Sequence, residues 1–409
     1  MSRLLNREVD ERVKIVIDKS IRPDNKTGAG IMKFGDNNDY PYLMEKLING
    51  SITAIAAANT YAKFIVGNGF NETINNIVIG KDERNKPVTV LGLLRKSAIS
   101  LAYNRGVYLH CNENLERKIV NLSLIPFKYC RFSKIDDTGY TARIAVYNNW
   151  DKHEPLKKEN IKWYNVFNLE EKAFAAQIAS LGGETPQENI ARFKGQIYFL
   201  FLDEQYLYPL SHFDSCYLDC DTENQISIFK NNMTRNGMTD KTVVSFAPPA
   251  TNEAREALSK QLKLWQGVDG PNTLTVETDI DEKTGEIKGS TAFKIDSIKS
   301  NINDKLFENW QKDLANNIRK SMKALPAILI DYEESKLGTT SGEAIIQATN
   351  YYNAVTRDDR AAVSQMFKEL LSNMVNESLS TNQDWTIKEL SLYEQPTNTS
   401  PAASNQKAQ

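Results

Sequence analysis

The chain has 409 residues, 41% hydrophobic and 25% charged, with a formal net charge of −2 at pH 7. That length can hold two or three domains with sizeable cores, and the near-neutral balance excludes a global basic field, so any DNA contact is local, loose or transient. Cys111, Cys130, Cys216 and Cys220 show neither a disulfide framework nor paired metal spacing. No apolar N-terminal core suggests a signal peptide and the apolar run 197–202 is far too short to span a bilayer, so no membrane span is expected; no cofactor is expected either.

Residues 1–39 are polar, carry Gly28, Gly30 and Gly35, and read as a flexible N-terminal arm. Tyr40-Pro41 opens a helix through Leu43, Leu47 and Ile48. Asn49-Gly50 interrupts it, and Ser51 can cap a second helix through Ile55, Phe64 and Ile65 that closes at Gly67-Asn68-Gly69. A helix from Val90 to Tyr103 ends at Asn104-Arg105-Gly106. The period then changes to two, and 107–111, 119–132, 141–150, 161–168 and 196–202 read as strands rich in Val, Ile, Tyr and Phe. Residues 171–194 form a helical insertion. After Tyr206-Leu207-Tyr208-Pro209-Leu210, a helix runs from Asp214 to Met233. A compact block over 237–298 combines a strand, an amphipathic helix and a hairpin turned at 281–285.

The stretch from Asn303 to Asn376 organises the rest. Leu306, Trp310, Leu314, Ile318 and Met322 recur at four-residue spacing along one helix, flanked by Phe307 and Leu325. An apolar stripe that long needs a partner. Pro326 ends the helix, since its ring lacks an amide donor and crowds the preceding turn. Ala327 to Ile330 is short and apolar, and Asp331 to Thr340 is polar. Ser341 then caps a helix from Gly342 to about Asn376, with Glu343 in its first turn. From Glu394 onward the composition is that of a disordered tail.

Three constellations carry possible chemistry. Asp214, Asp219, Asp221 and Glu223 could suggest a two-metal nuclease, although such sites usually gather carboxylates from distant strands. An acidic helix face favoured by the dipole explains them more simply. Gly338-Thr339-Thr340-Ser341-Gly342 resembles a phosphate cradle only superficially, and no G-x-x-x-x-G-K-[ST] occurs, so no P-loop ATPase is expected. Lys305, Lys312, Arg319, Lys320 and Lys323 form a basic stripe. On a monomer it is a solvated face paired with Asp304, Glu308 and Asp313.

Read in order, Asn38-Asp39-Tyr40-Pro41, Ser51, Phe64-Ile65-Val66-Gly67-Asn68-Gly69-Phe70, Leu122-Ser123-Leu124-Ile125-Pro126, Lys323-Ala324-Leu325-Pro326-Ala327-Ile328-Leu329 and Thr340-Ser341-Gly342-Glu343-Ala344 resemble the portal, or head-tail connector, proteins of tailed bacteriophages. The resemblance spans roughly residues 38 to 380. It implies an α+β portal-type fold: an α/β wing over 40–208, a stem helix over 209–236, an inserted α/β clip over 237–298 and a second stem helix over 299–325. A pore-loop region over 326–341, a C-terminal helix over 342–393 and a tail over 394–409 complete it. It further implies a ring of about twelve copies at one capsid vertex of the virion, assembled in host cytoplasm, with no bond made or broken. Double-stranded DNA, terminase, capsid or scaffold proteins and tail adaptors are the implied partners. Glu333, Glu334, Ser335, Lys336 and Gly338 would be the pore-loop residues facing DNA, and the basic stripe the channel candidates.

Overall fold

The computed structural model of the chain describes residues 19–24, 28–35, 37–82, 84–114, 116–137, 139–150, 158–235, 241–245, 256, 260, 294–298, 304–331, 341–379 and 383–391. In chain order its elements are β1 (Ile21–Pro23), β2 (Met32–Phe34), α1 (Tyr40–Gly50), α2 (Ile52–Val66), α3 (Glu72–Asn75), β3 (Val78–Lys81), β4 (Pro87–Thr89), α4 (Val90–Asn104), β5 (Gly106–Glu113), β6 (Ile119–Ile125), β7 (Cys130–Phe132), β8 (Arg143–Val146), β9 (Lys162–Val166), α5 (Glu171–Ala179), α6 (Pro186–Arg192), β10 (Gln196–Phe201), α7 (Tyr217–Arg235), β11 (Lys241–Ser245), β12 (Lys294–Ile298), α8 (Asp304–Ser321), α9 (Ser341–Val355) and α10 (Arg357–Leu371). The described residues of Met1–Lys46, Ala56–Asp214 and Ser321–Gln409 pack as one unit, and those of Leu47–Ile55 and Ser215–Lys320 as a second. No helix among the described residues is long and apolar enough to cross a membrane.

The first unit is built on a mixed sheet in the order β6-β5-β10-β9-β8-β7, antiparallel except between β9 and β10. A parallel pair must be joined by a crossover. Residues 167–195 supply it, so the helical insertion expected over 171–194 is a crossover carrying α5 and α6. Gln177 ties it to the sheet: its Nε2 donates to the Val166 carbonyl at 2.9 Å, and its Oε1 accepts Gln196 Nε2 at 2.6 Å.

One expected strand is two. The run 119–132 breaks at Pro126, which has no N–H for a ladder. A 3-10 turn at Phe127–Tyr129 follows, and β7 then joins the edge of the sheet opposite β6. Gly106 makes room for the turn, because a Cβ there would lie 2.6 Å from the Phe127 ring. Tyr108, Phe127, Phe132, Phe199 and Phe201 form an aromatic layer with centroids 4.9 to 6.4 Å apart. Tyr208 joins it by stacking on Phe132 at 5.4 Å, and its hydroxyl donates to the Met32 carbonyl at 2.8 Å.

Segments from elsewhere in the unit cover both sheet edges, which would otherwise invite unwanted pairing. Beside β7, the Lys134 N–H donates to the Gly30 carbonyl at 2.8 Å; beside β6, the Val375 N–H donates to the Ile119 carbonyl at 3.0 Å. The expectation of a flexible arm over 1–39 is therefore corrected where the chain is described, from Lys19 onward. There β1 and β2 pair as a hairpin, and Ile31 and Phe34 are buried. Arg131 supplies a further reason. Its buried guanidinium donates from Nε and Nη2 to the side-chain and backbone oxygens of Asn38 at 2.5 and 2.7 Å, and from Nη1 to the Cys130 carbonyl at 2.7 Å. A buried cation requires such acceptors, so Asn38 is held in place. Residues 1–18 lie outside the described residues.

In the second unit, Ser51 caps α2 as expected, its Oγ accepting the Ala54 N–H at 3.1 Å. Strands β11 and β12 pair antiparallel, with Lys241 opposite Ile298 and Ser245 opposite Lys294. The rest of the block expected over 237–298, its amphipathic helix and its hairpin turn included, lies outside the described residues apart from 256 and 260, as does the tail from 394.

Candidate functional site

The organising stretch is α8, a turn, Pro326, a 3-10 turn at Ala327–Leu329, then α9 and α10. Along the expected apolar stripe Leu314, Ile318, Met322 and Leu325 are buried, while Trp310 is 49% exposed. The side chains of Leu306 and Phe307 lie outside the described residues.

Helix α8 stops at Ser321, well before Pro326, so the proline does not end it. Lys323 and Ala324 are instead both left-handed, each with φ 53°. For a residue with a Cβ that conformation costs roughly 1–2 kcal/mol, and Met322, Lys323, Ala324 and Leu325 are all good helix formers. The turn is held by its surroundings. The Met322 carbonyl accepts the Tyr352 hydroxyl at 3.0 Å, and Lys323 Nζ lies 2.5 Å from Asp359 Oδ2. That same Oδ2 accepts the Tyr61 hydroxyl at 2.6 Å. Burial, and then the Asp359 charge, push the Tyr61 pKa well above its ordinary value, so the hydroxyl keeps the proton it donates. A hydrogen bond to a charged group contributes ~1.5–3 kcal/mol, the same scale as the strain it opposes.

The single helix expected from Gly342 to about Asn376 is interrupted at Thr356, with φ −94° and ψ 3°. Thr356 Oγ1 donates back to the Tyr352 carbonyl at 2.8 Å, a bond that competes with the helix ladder and bends it. Arg360 adds to this, with Nη2 donating to the Asn353 carbonyl at 2.7 Å and Nη1 to Thr356 Oγ1 at 2.7 Å. Burial lowers the Arg360 pKa, and Glu389 at 3.0 Å opposes that shift. The segment carrying Glu389 is anchored against the end of α2. Gly67, at φ 51°, leaves no space for a Cβ, which would sit 2.0 Å from the Lys388 carbonyl oxygen.

Of the basic stripe, Lys312, Arg319 and Lys320 lie on α8, with Lys312 and Arg319 seven residues apart on one face. Lys312 is exposed and pairs with Glu308 at 2.7 Å, one helical turn away. Arg319 donates to Asn316 Oδ1, and Lys320 is exposed. Lys323 does not continue the stripe, because α8 has ended before it and its ammonium is taken by Asp359. The Lys305 side chain lies outside the described residues, as do Glu333, Glu334, Ser335, Lys336 and Gly338.

The acidic cluster does not converge on a metal. Asp214 takes Lys19 Nζ at 2.7 Å and the Tyr40 hydroxyl at 3.1 Å, and Asp219 accepts Asn317 Nδ2 at 3.4 Å. Glu223 accepts both the Ser51 and Thr53 hydroxyls, the latter at 2.6 Å. Among the described residues no group of three or more His, Cys, Asp or Glu could hold a metal ion. The nuclease alternative has no support here.

Sequence reasoning missed the roles of Tyr61, Asp359 and Arg360. A signal was present: Tyr352, Thr356, Asp359, Val363, Met366 and Leu370 share one buried face, and a charge inside an apolar period demands a buried partner. His212 was equally silent. It meets the Tyr61 ring edge-on at 5.3 Å. Burial first, then Arg105 and Lys323, lower its pKa to about 3, so the ring stays neutral.

No family model and no curated protein matches the chain. Solved structures to which it is similar include the neck of a native gene transfer agent particle computed with C12 symmetry, at 12% identity over 86% of this chain and 85% of that one, with a TM-score of 0.45. The virion of a native gene transfer agent particle matches at 11% identity over 82% of this chain and 81% of that one, with a TM-score of 0.43. A HK97-family phage portal protein from Corynebacterium diphtheriae matches at 8% identity over 82% of this chain and 92% of that one, with a TM-score of 0.39.

Proposed function

We propose that the chain is a portal protein of a tailed phage or prophage, a ring of about twelve copies through which DNA enters and leaves a capsid. The observation that carries this reading is the order of the motif pieces along the chain. Several of them have a structural task in this fold: Asn38 holds Arg131, Ser51 caps α2, Gly67 admits Lys388, and Pro126 redirects the chain across the sheet. The proposed parts are a wing over 40–208, stem helices over 209–236 and 299–325, a clip over 237–298, a pore-loop region over 326–341 and a C-terminal helical part over 342–393.

The mechanism is mechanical. A conduit that moves DNA must avoid base-edge contacts and tight phosphate clamps, since either makes a sticking point. A near-neutral chain with a modest cationic stripe on α8 meets that demand. Lys305, Lys312, Arg319 and Lys320 face the channel or the neighbouring copy, and Glu333, Glu334, Ser335, Lys336 and Gly338 touch the passing duplex. Terminase docks on the clip, tail or adaptor proteins replace it, and capsid or scaffold proteins meet the wing.

Deleting residues 333–336 tests the loop assignment. Rings should still assemble while DNA packaging or retention falls; wild-type DNA yield from the deleted protein would reject it.

A further inference from the structure

Every residue from Met322 to Leu325 favours helix, yet the chain leaves α8 through two successive left-handed residues, neither of them Gly or Asn. Local preference and observed conformation conflict, and such conflicts are held only where the surroundings over-determine them. Here the holding group is identifiable. Asp359, in the first turn of α10, receives Lys323 Nζ at 2.5 Å and the Tyr61 hydroxyl at 2.6 Å on one oxygen.

We propose that Asp359 is a positioning residue that latches the turn Met322–Leu325 between two conformations. With the latch closed, Lys323 and Ala324 are left-handed and the chain turns towards Pro326. With it open, Met322, Lys323 and Ala324 continue α8 as helix. Leu325 cannot follow, because a residue before proline is driven out of the α region. Three added residues lengthen a helix by about 4.5 Å, and that displacement is passed to Pro326 and the chain beyond it. The inference rests on the turn geometry and stands apart from the portal reading.

Glycine at position 324 reports which conformation is present. It relieves strain where the residue is left-handed and weakens the fold where the residue is helical. In the wild-type background Ala324→Gly should raise the thermal midpoint of the full-length protein by about 2 °C. In an Asp359→Asn background, where the latch is open, the same substitution should lower it by a similar amount. A residue with a merely structural role would not reverse that sign. If Asp359→Asn does not fold, Lys323→Met provides the open background, since it removes the ammonium and keeps the apolar stem. A rise in both backgrounds, a fall in the wild type, or no shift in either would overturn the proposal.

Discussion

Helix α4 closes at Arg105 and α8 is followed by Lys323, and each of these basic residues is left-handed at φ 53°. Each also hands its side chain to an aspartate: Arg105 Nη1 meets Asp203 Oδ2 at 2.8 Å, and Lys323 Nζ meets Asp359 Oδ2 at 2.5 Å. The difference lies in the next residue. After Arg105 comes Gly106, which begins β5, so one left-handed residue completes the turn. After Lys323 comes Ala324, which must be left-handed as well. The α4 end needs one left-handed residue with a Cβ, whereas the end of α8 needs two in succession.

A third helix end sets the upper limit of what such positions contribute. Gly67→Ala should destabilise the fold by about 3 kcal/mol, combining left-handed strain with a forced shift of the Lys388 backbone. Chemical denaturation of the full chain would measure it, and a change under 1 kcal/mol would contradict the packing described. Tyr61→Phe comes next, at about 2 kcal/mol, because it removes a buried donor from a charged acceptor. Asp203→Asn should cost about 1 kcal/mol or less, since that pair is partly exposed and Arg105 also reaches the Leu202 carbonyl at 3.4 Å. If Asp203→Asn proved the more costly of the two, the contrast between the single and the double left-handed helix end would be wrong.

A pH-dependent effect, absent near neutrality, links both ends through His212. Its folded pKa lies near 3 against an ordinary 6.5, so the folded state binds fewer protons than the unfolded one across that window. Its contribution is therefore complete above pH 6.5 and is lost as pH falls towards 3. His212→Gln should flatten that part of a midpoint-versus-pH curve. Arg105 depresses the pKa more than Lys323 does, so Arg105→Gln should ease the acid loss more than Lys323→Gln. The reverse order would show that Lys323 is the closer influence.

These helix ends also explain what the sequence could disclose. Gly67-Asn68-Gly69 announces its turn because both glycines carry the left-handed conformation locally. Asn104-Arg105-Gly106 announces its turn by composition although Arg105 is the left-handed residue, and Ser51 announces its cap by its own hydroxyl. The true end of α8 and the packing of the described residues between 19 and 39 involve Asp359 and Arg131, both distant in sequence. The break at Thr356 comes from side-chain bonds of Thr356 and Arg360 that a hydrophobic period does not register. Propensity and period read neighbours along the chain, so they ran α8 on to Pro326 and joined α9 to α10. Of the candidate channel residues, Lys312, Arg319 and Lys320 lie on α8 and Lys323 lies beyond its end, and their role stays a proposal. The residues from Glu333 to Gly338 lie outside the described part and stay a proposal.

The central claim is that copies of this chain close into a ring. The described part of the stripe is buried within the chain except for Trp310, which is half-exposed, and a neighbouring copy in a ring can cover that residue. Negative-stain imaging of the purified full-length protein, with light scattering on the same sample, tests this most directly. Closed rings with a central hole are the predicted result, and a monomer across all concentrations and salt conditions would contradict it.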